Sequence, residues 1–102
     1  MKKKYKLIEE REAEIVGINH YEGEFADDRD IRFLREPDNQ YDPNAVKIMN
    51  ANKEQIGYLD RKSAKALAPL MDEKKIKLRC EVVGQGDGYC IPVRLKIYKV
   101  ST

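Results

Sequence analysis

Three tyrosines in this chain, Tyr41, Tyr58 and Tyr89, each lie beside a loop or at the end of an expected strand. A tyrosine ring offers a flat face on which a nucleic acid base can stack, a contact worth roughly 1–3 kcal/mol. Arg61 and Lys62, at the expected start of a helix, could neutralise backbone phosphates. Tyrosines in strands are also common as half-buried packing, so these residues favour single-stranded nucleic acid binding only if the three rings share one rim of the fold.

The residue types give little support to catalysis. The chain has one histidine, His20, and no serine in a Gly-x-Ser-x-Gly turn. Asp42 is a lone carboxylate in a turn, where such a side chain more often accepts a turn hydrogen bond than acts as a base. The acidic run at 27–30 lacks the glycine and glutamate spacing of a calcium loop. The sequence therefore predicts a binding protein that is not an enzyme and has no metal site or cofactor.

The stretch 34–58 is the best-defined part of the sequence. Pro37 and Pro43 bias the residues before them away from the helical region, and the asparagines and aspartates between them close turns with their own side chains. We therefore expect Tyr41 and Asp42 on a stiff, irregular loop. A loop held by a rigid sheet is a common place for ligand contacts.

Length and composition limit the class of protein. At 102 residues, 41% hydrophobic and 37% charged, the chain is expected to form one folded domain. Its 20 basic and 18 acidic residues give a net charge of +2, so a nucleic acid site must come from local clustering. With no apolar run long enough for a membrane and no signal peptide, a cytoplasmic protein without a membrane partner is expected. Cys80 and Cys90 are expected to be reduced, with Cys80 in the core.

Alternation of apolar and polar residues predicts six strands. They are expected at 12–18, 31–35, 45–49, 54–59, 76–82 and 93–98. The asparagine-rich turn at 50–53 makes the third and fourth strands antiparallel. The glycine-rich segment 84–88 is not followed by a helix, so it predicts a hairpin loop rather than a phosphate-binding loop.

One helix is expected after Asp60, which can cap it. Its apolar stripe comprises Ala64, Leu67, Ala68 and Met71. Pro69 removes a helical hydrogen bond, so we expect a kink or a second short helix there.

These elements predict a mainly β fold: a small six-stranded antiparallel barrel, OB-like or SH3-like, capped by one or two short helices. Closure would hide the strand edges. Residues 1–10 show little pattern and are expected to form a flexible N-terminal arm, which leaves 11–100 as the single domain.

Four motifs carry a resemblance to a known family. They are REP at 35–37, YDPNAV at 41–46, IGYL at 56–59 and ALAPLM at 66–71. In this order and spacing the sequence resembles the HIRAN domain, over about residues 15–95. The resemblance implies an OB-like, non-catalytic module that captures free 3′-hydroxyl ends of single-stranded DNA. Such domains occur at the front of fork-remodelling ATPases and as free-standing bacterial proteins, which implies a role in replication or repair and a helicase or nuclease partner.

The resemblance also implies roles for individual residues. Tyr41 and Asp42 match the family's loop around the terminal nucleotide, Tyr58 matches the position after its Ile-Gly pair, and Tyr89 matches an aromatic that stacks on a base. A carboxylate can accept a hydrogen bond from a 3′-hydroxyl and would repel a 3′-phosphate, so Asp42 would select for a free end.

Asn19 and His20 match a basic and an aromatic contact of the family, where some relatives carry arginine and tyrosine. The charge contact at Asn19 is therefore absent from this sequence. A protein whose DNA site has decayed remains one alternative. Another is an SH3-like module that binds a peptide segment in an aromatic groove formed by the three tyrosines. DNA binding would weaken steeply with salt, whereas an aromatic peptide groove would respond far less.

Overall fold

The computed structural model describes residues 2–23 and 31–101 of the chain. Within this part the chain forms six strands, one α-helix and one turn of 3₁₀ helix at Ile18–His20. The strands are β1 (Lys4–Val16), β2 (Arg32–Arg35), β3 (Val46–Met49), β4 (Gln55–Leu59), β5 (Ile76–Val82) and β6 (Cys90–Ser101), and the helix is α1 (Arg61–Asp72). The predicted mainly β architecture with six antiparallel strands is confirmed.

The strands form a single sheet in the order β2-β3-β4-β1-β6-β5. All of its pairings are antiparallel, and β1 joins the two halves through only two residue pairs with β4, Ile15 with Leu59 and Val16 with Tyr58. The expected closed barrel is not formed, because β2 and β5 do not pair with each other in the described part of the chain. Helix α1 contacts both of these edge strands, so it covers part of the opening.

Strand β1 begins well before the sequence indicated. It pairs with β6 from Lys4 opposite Ser101 to Val16 opposite Cys90, with a register shift between Leu7 and Glu9. Residues 4–10, expected as a flexible arm, are therefore part of the sheet. These residues are highly charged and show no clear alternation, so the sequence did not predict a strand here. The strand forms because β6 pairs with it through main-chain hydrogen bonds, which do not depend on side-chain type.

The core lies between the inner face of the sheet and α1. Alternate strand residues provide its largest fully buried side chains, which are Ile15, Val46, Ile48, Ile56, Val93 and Leu95. From the helix, Ala64, Leu67 and Ala68 are buried, as the apolar stripe predicted. Cys80 is buried in this core, whereas Cys90 is partly exposed.

Helix α1 begins after Asp60, whose side chain accepts a hydrogen bond from the Ser63 N–H at 3.1 Å. The expected second helix is absent, since α1 continues through Pro69 to Asp72. Pro69 lies in the last turn, where it removes one hydrogen bond while its own carbonyl still accepts from Glu73 N–H.

The acidic run at 27–30 lies outside the described residues. In the part that is described, α1 is too short and too polar to cross a bilayer, and no other helix approaches the required length.

Candidate nucleic-acid interface

The 3₁₀ turn at the end of β1 presents two of the predicted site residues. Gly17 introduces the turn with φ of 71°, a left-handed conformation that favours glycine. Asn19 and His20 follow it and are both exposed. The Ile18 N–H donates a hydrogen bond to the Tyr89 carbonyl at 3.3 Å. This bond places Tyr89, from the loop between β5 and β6, beside the turn.

The backbone around Tyr89 is fixed by an aspartate of its own loop. Asp87 Oδ1 accepts hydrogen bonds from the N–H groups of Tyr89 and Cys90, both at 2.9 Å. These bonds favour the ionised carboxylate and lower the pKa of Asp87. The Tyr89 side chain itself is 64% exposed, so its ring is available to a ligand.

Tyr21 connects the turn to Tyr58 on β4. Its ring makes edge-to-face contacts with His20, at 6.5 Å between centroids, and with Tyr58, at 6.0 Å. The Tyr58 hydroxyl in turn donates a 2.6 Å hydrogen bond to Glu36 Oε1. Burial and this carboxylate together raise the pKa of Tyr58 to about 12. The same hydrogen bond is the main cause that lowers the pKa of Glu36.

Glu36 also contacts the loop that carries Tyr41 and Asp42. Its Oε1 accepts a second hydrogen bond, from Asn39 Nδ2 at 3.1 Å. Asn39 Oδ1 accepts from the main-chain N–H groups of Tyr41 at 2.9 Å and Asp42 at 3.0 Å. Through Glu36 and Asn39, the Tyr58 side chain on β4 is thus connected to the backbone of Tyr41 and Asp42, the two loop residues predicted from the sequence.

The far side of the loop is fixed separately. Asp42 Oδ1 accepts from the Asn44 N–H at 2.9 Å, which forms a tight turn. Arg35 donates to the Pro43 carbonyl at 2.9 Å and pairs through two nitrogens with the Asp72 carboxylate, at 2.9 and 3.1 Å. The loop is therefore tied to α1 as well as to β4, in agreement with the stiffness expected from its prolines.

Besides Asn19, His20 and Tyr89, four more of the predicted site residues present exposed or unbonded groups. Tyr41 is 86% exposed. Asp42 Oδ2 accepts no hydrogen bond from any residue in the described ranges. Arg61 and Lys62 are exposed at the first turn of α1, three and four residues after Tyr58. An exposed ring, a free carboxylate oxygen and two cations can contact a base, a hydroxyl hydrogen and phosphates respectively.

The structure brings most of the predicted residues into one contact network. The turn of Asn19 and His20 reaches Tyr89 through Ile18, and it reaches Tyr58 through Tyr21. Three members of the network were missed from the sequence, namely Tyr21, Glu36 and Asn39. Asn39 has a local signal, since an asparagine between two prolines was expected to close a turn, but Tyr21 and Glu36 have none, because their contacts with Tyr58 depend on how distant segments fold together. The roles of all these residues in binding remain predictions.

A metal centre is not built from the described residues. Across 2–23 and 31–101, the histidine, cysteine, aspartate and glutamate side chains form no group of three that could hold a metal ion.

Comparison with protein families and curated sequences gives one consistent result. The model of the HIRAN domain matches residues 8–100. The chain is 34% identical to the helicase-like transcription factor of Oryctolagus cuniculus over 85 residues, which is 82% of this chain and 8% of that protein. It is 38% identical to a Fanconi-associated nuclease 1 homologue of Oryza sativa subsp. japonica over 93 residues, or 85% of this chain and 10% of that protein. The chain thus spans a tenth or less of the length of these two relatives.

Solved structures give the same result. The crystal structure of the HIRAN domain of human HLTF matches with a TM-score of 0.83 and 29% identity, over 93% of this chain and 79% of that one. The NMR structure of the HLTF HIRAN domain in its DNA-bound conformation matches with a TM-score of 0.71 and 27% identity, over the same shares of the two chains.

Proposed function

This chain belongs to the HIRAN domain family, and we propose that it binds a free 3′-hydroxyl end of single-stranded DNA without catalysing a reaction. The DNA-bound conformation of the HLTF domain, which this fold resembles over most of its length, supports a DNA ligand. The observation that carries the proposal is the loop of Tyr41 and Asp42. Its backbone is fixed on both sides, while the Tyr41 ring and Asp42 Oδ2 remain open.

In this proposal the site residues contact different parts of the DNA end. The Tyr41 and Tyr89 rings stack on bases, and Asp42 Oδ2 accepts the hydrogen bond of the terminal hydroxyl. His20 and Asn19 complete the rim, and the cations at the start of α1 neutralise phosphates. Tyr58 acts differently from the other tyrosines. Its hydroxyl is hydrogen-bonded to Glu36 and its ring is in edge-to-face contact with Tyr21, so we propose that it positions the loop.

The test is fluorescence anisotropy with a short labelled oligonucleotide that ends in a 3′-hydroxyl or in a 3′-phosphate, at two salt concentrations. We expect tighter binding of the hydroxyl end and weaker binding at high salt. Tyr41→Ala should weaken binding to both ends. Asp42→Asn keeps an oxygen for the Asn44 N–H but removes the charge, so it should reduce the discrimination between the two ends.

The matched control is Asp38→Asn, which removes a carboxylate from an exposed position of the same loop. It should leave the discrimination unchanged. Equal binding of both ends by the unmodified protein would remove the role of Asp42 and leave general DNA binding. Failure to bind either oligonucleotide would refute the proposal and favour the peptide-binding alternative, although the engagement of Tyr58 speaks against a groove formed by all three tyrosines.

The relatives suggest how such capture would be used. Helicase-like and nuclease proteins both carry a region similar to this chain. We therefore propose that the captured end is presented to an enzyme of this kind during replication or repair. Co-purification of such an enzyme from cells of the source organism, dependent on the intact domain, would test this role.

A further inference from the structure

The opening between the two edge strands forms a groove that the proposed DNA site does not use. It has a volume of about 540 Å³ and lies between β2 and β5, with the end of α1 at one side. We call it the seam groove. Its apolar lining includes Ile31, Phe33, Met71, Ile76 and Leu78, which are buried or packed against the core. The groove is therefore continuous with the hydrophobic core rather than a shallow surface feature.

Basic residues surround this apolar lining. They are Lys3, Arg32, Lys74, Lys77 and Arg79. Within residues 2–23 and 31–101 no acidic residue lines the groove, and none of the five makes an ion pair with a carboxylate of these residues. The whole chain has a net charge of only +2, so this concentration of positive charge is local. It favours an acidic occupant.

Both walls of the groove also present main-chain groups. In an antiparallel pair, every second residue of an edge strand directs its N–H and C=O away from the partner strand. The Glu36 N–H bonds to the Ala45 carbonyl, which sets the alternation in β2 so that Phe33 faces outward. The Val100 N–H bonds to the Lys75 carbonyl, which sets the alternation in β5 so that Ile76 and Leu78 face outward.

We propose that the seam groove binds an extended, acidic segment of a partner protein, which adds as a strand along the edge of β5. A peptide backbone supplies both donors and acceptors for the free groups of Ile76 and Leu78. Its alternate side chains reach the apolar lining on one side and the lysines and arginines on the other. The lining residues Ile76 to Arg79 match a segment of about four residues, roughly 13 Å long.

Two other occupants fit less well. A second copy of this chain would bring the same cations to the groove and would be repelled. Single-stranded nucleic acid would satisfy the cations, but its phosphates accept hydrogen bonds and cannot satisfy the main-chain carbonyls of the strand edge. Tyr5, an aromatic lining residue, already has the Lys77 ammonium over its ring at 5.0 Å, so one face is not open to a base.

The experiment uses a fluorescein-labelled octapeptide of alternating glutamate and valine as the probe, with anisotropy as the readout. Arg32→Glu and Arg79→Glu, one from each wall, should together weaken peptide binding about tenfold or more. Lys53→Glu makes the same charge change as each single substitution, in the turn between β3 and β4 outside the groove, and should have little effect. The same peptide with N-methyl groups at alternate positions should also bind more weakly, because it loses the main-chain donors on the edge that pairs with β5.

Two further measurements separate this proposal from the DNA-binding proposal. Amide hydrogen exchange at Ile76 and Leu78 should slow when the peptide is added. Arg32→Glu and Arg79→Glu should leave oligonucleotide binding and thermal unfolding close to those of the unmodified protein.

Several results would overturn the seam-groove proposal. They are no peptide binding, an equal loss in Lys53→Glu, equal affinity for the N-methylated peptide, and unchanged exchange at Ile76 and Leu78. Loss of oligonucleotide binding in the groove variants would assign the groove to nucleic acid instead. Because these outcomes do not involve Tyr41 or Asp42, the two proposals succeed or fail separately.

Discussion

At the scale of single residues, the Tyr58 hydroxyl differs from those of Tyr41 and Tyr89 because it donates a hydrogen bond to a specific partner, Glu36. Its hydrogen bond to Glu36 is short, and Glu36 also contacts Asn39 and Lys47. From the sequence, Tyr58 was one of three equivalent aromatic rings. Its hydrogen bond to Glu36 also connects it to the loop of Tyr41 and Asp42 through Asn39, and its role in binding stays a prediction.

This contact gives a pH-dependent prediction. The pKa of Tyr58 is raised from 10.0 to about 12 by burial and by Glu36. The pKa of Tyr58 is higher in the folded protein than in the unfolded chain. Its protonated hydroxyl therefore contributes to the free energy of unfolding in full below pH 10, and this contribution is lost as the pH rises toward 12. In an absorbance titration near 295 nm, the ionisation of Tyr58 should appear as a late step near pH 12. Glu36→Gln should lower its pKa but leave it above the ordinary value, since burial remains.

Tyr58→Phe should remove the late step from that titration, whereas Tyr98→Phe, whose hydroxyl has no hydrogen-bond partner among the described residues, should leave it in place. A titration of the unmodified, folded protein without this late step would contradict the assignment.

At the scale of elements, Asp60 joins α1 to β1. One carboxylate oxygen accepts from the Ser63 N–H in the first turn of α1, and the other accepts from the Glu14 N–H at 2.9 Å. The Asp60 N–H also donates to the Glu14 carbonyl at 2.9 Å. The sequence predicted the helix cap, but the bond to a strand 46 residues earlier required the folded structure.

Asp60→Ala should therefore lower the free energy of unfolding by more than the loss of a helix cap alone. A cap substitution lowers it by about 1 kcal/mol, and the Glu14 N–H also loses its acceptor, so we expect a decrease of about 2 kcal/mol in total. Urea unfolding followed by circular dichroism would measure it. Asp38→Ala, at an exposed position without such bonds, should change stability by less than about 0.5 kcal/mol. A loss no larger than that of the control would refute the joining role.

At the scale of the whole molecule, the sheet consists of two three-stranded halves. One half is β2-β3-β4 and the other is β1-β6-β5, and they meet at the short pairing of β4 with β1. The proposed DNA site lies across this junction, since Tyr58 is in one half and the 3₁₀ turn follows the other. The seam groove lies between the two outermost strands, β2 and β5, which do not pair with each other in the residues that the structure describes.

Gly57 is the residue that permits the two halves to meet closely. A Cβ atom at this position would lie 2.4 Å from the Val16 carbonyl oxygen, so the main chains would have to separate. We expect Gly57→Ala to lower the free energy of unfolding by about 2 kcal/mol or more and to weaken oligonucleotide binding. Gly84→Ala, where the nearest atom is a Pro92 side-chain carbon at 3.2 Å, is the milder comparison. Unfolding and anisotropy measurements on both variants would check this, and equal stability losses would contradict it.

The sequence by itself determined the features that depend on near neighbours. Alternation gave the strands at 76–82 and 31–35 to within a residue, and Asp60 with its following apolar stripe gave α1. The motifs around Tyr41 and Tyr58 gave the family. These signals are readable because they arise from residues that are two to four positions apart.

Only the tertiary structure decided which distant residues meet. The bond from Tyr58 to Glu36 spans 22 residues, and that from Arg35 to Asp72 spans 37, so neither has a local signature. The same holds for the start of β1 at Lys4, which depends on pairing with the last strand. Sheet closure is likewise a property of the whole fold. In the described part of the chain β2 and β5 do not pair, and both contact α1, so the seam groove depends on how strands distant in sequence are arranged around the helix.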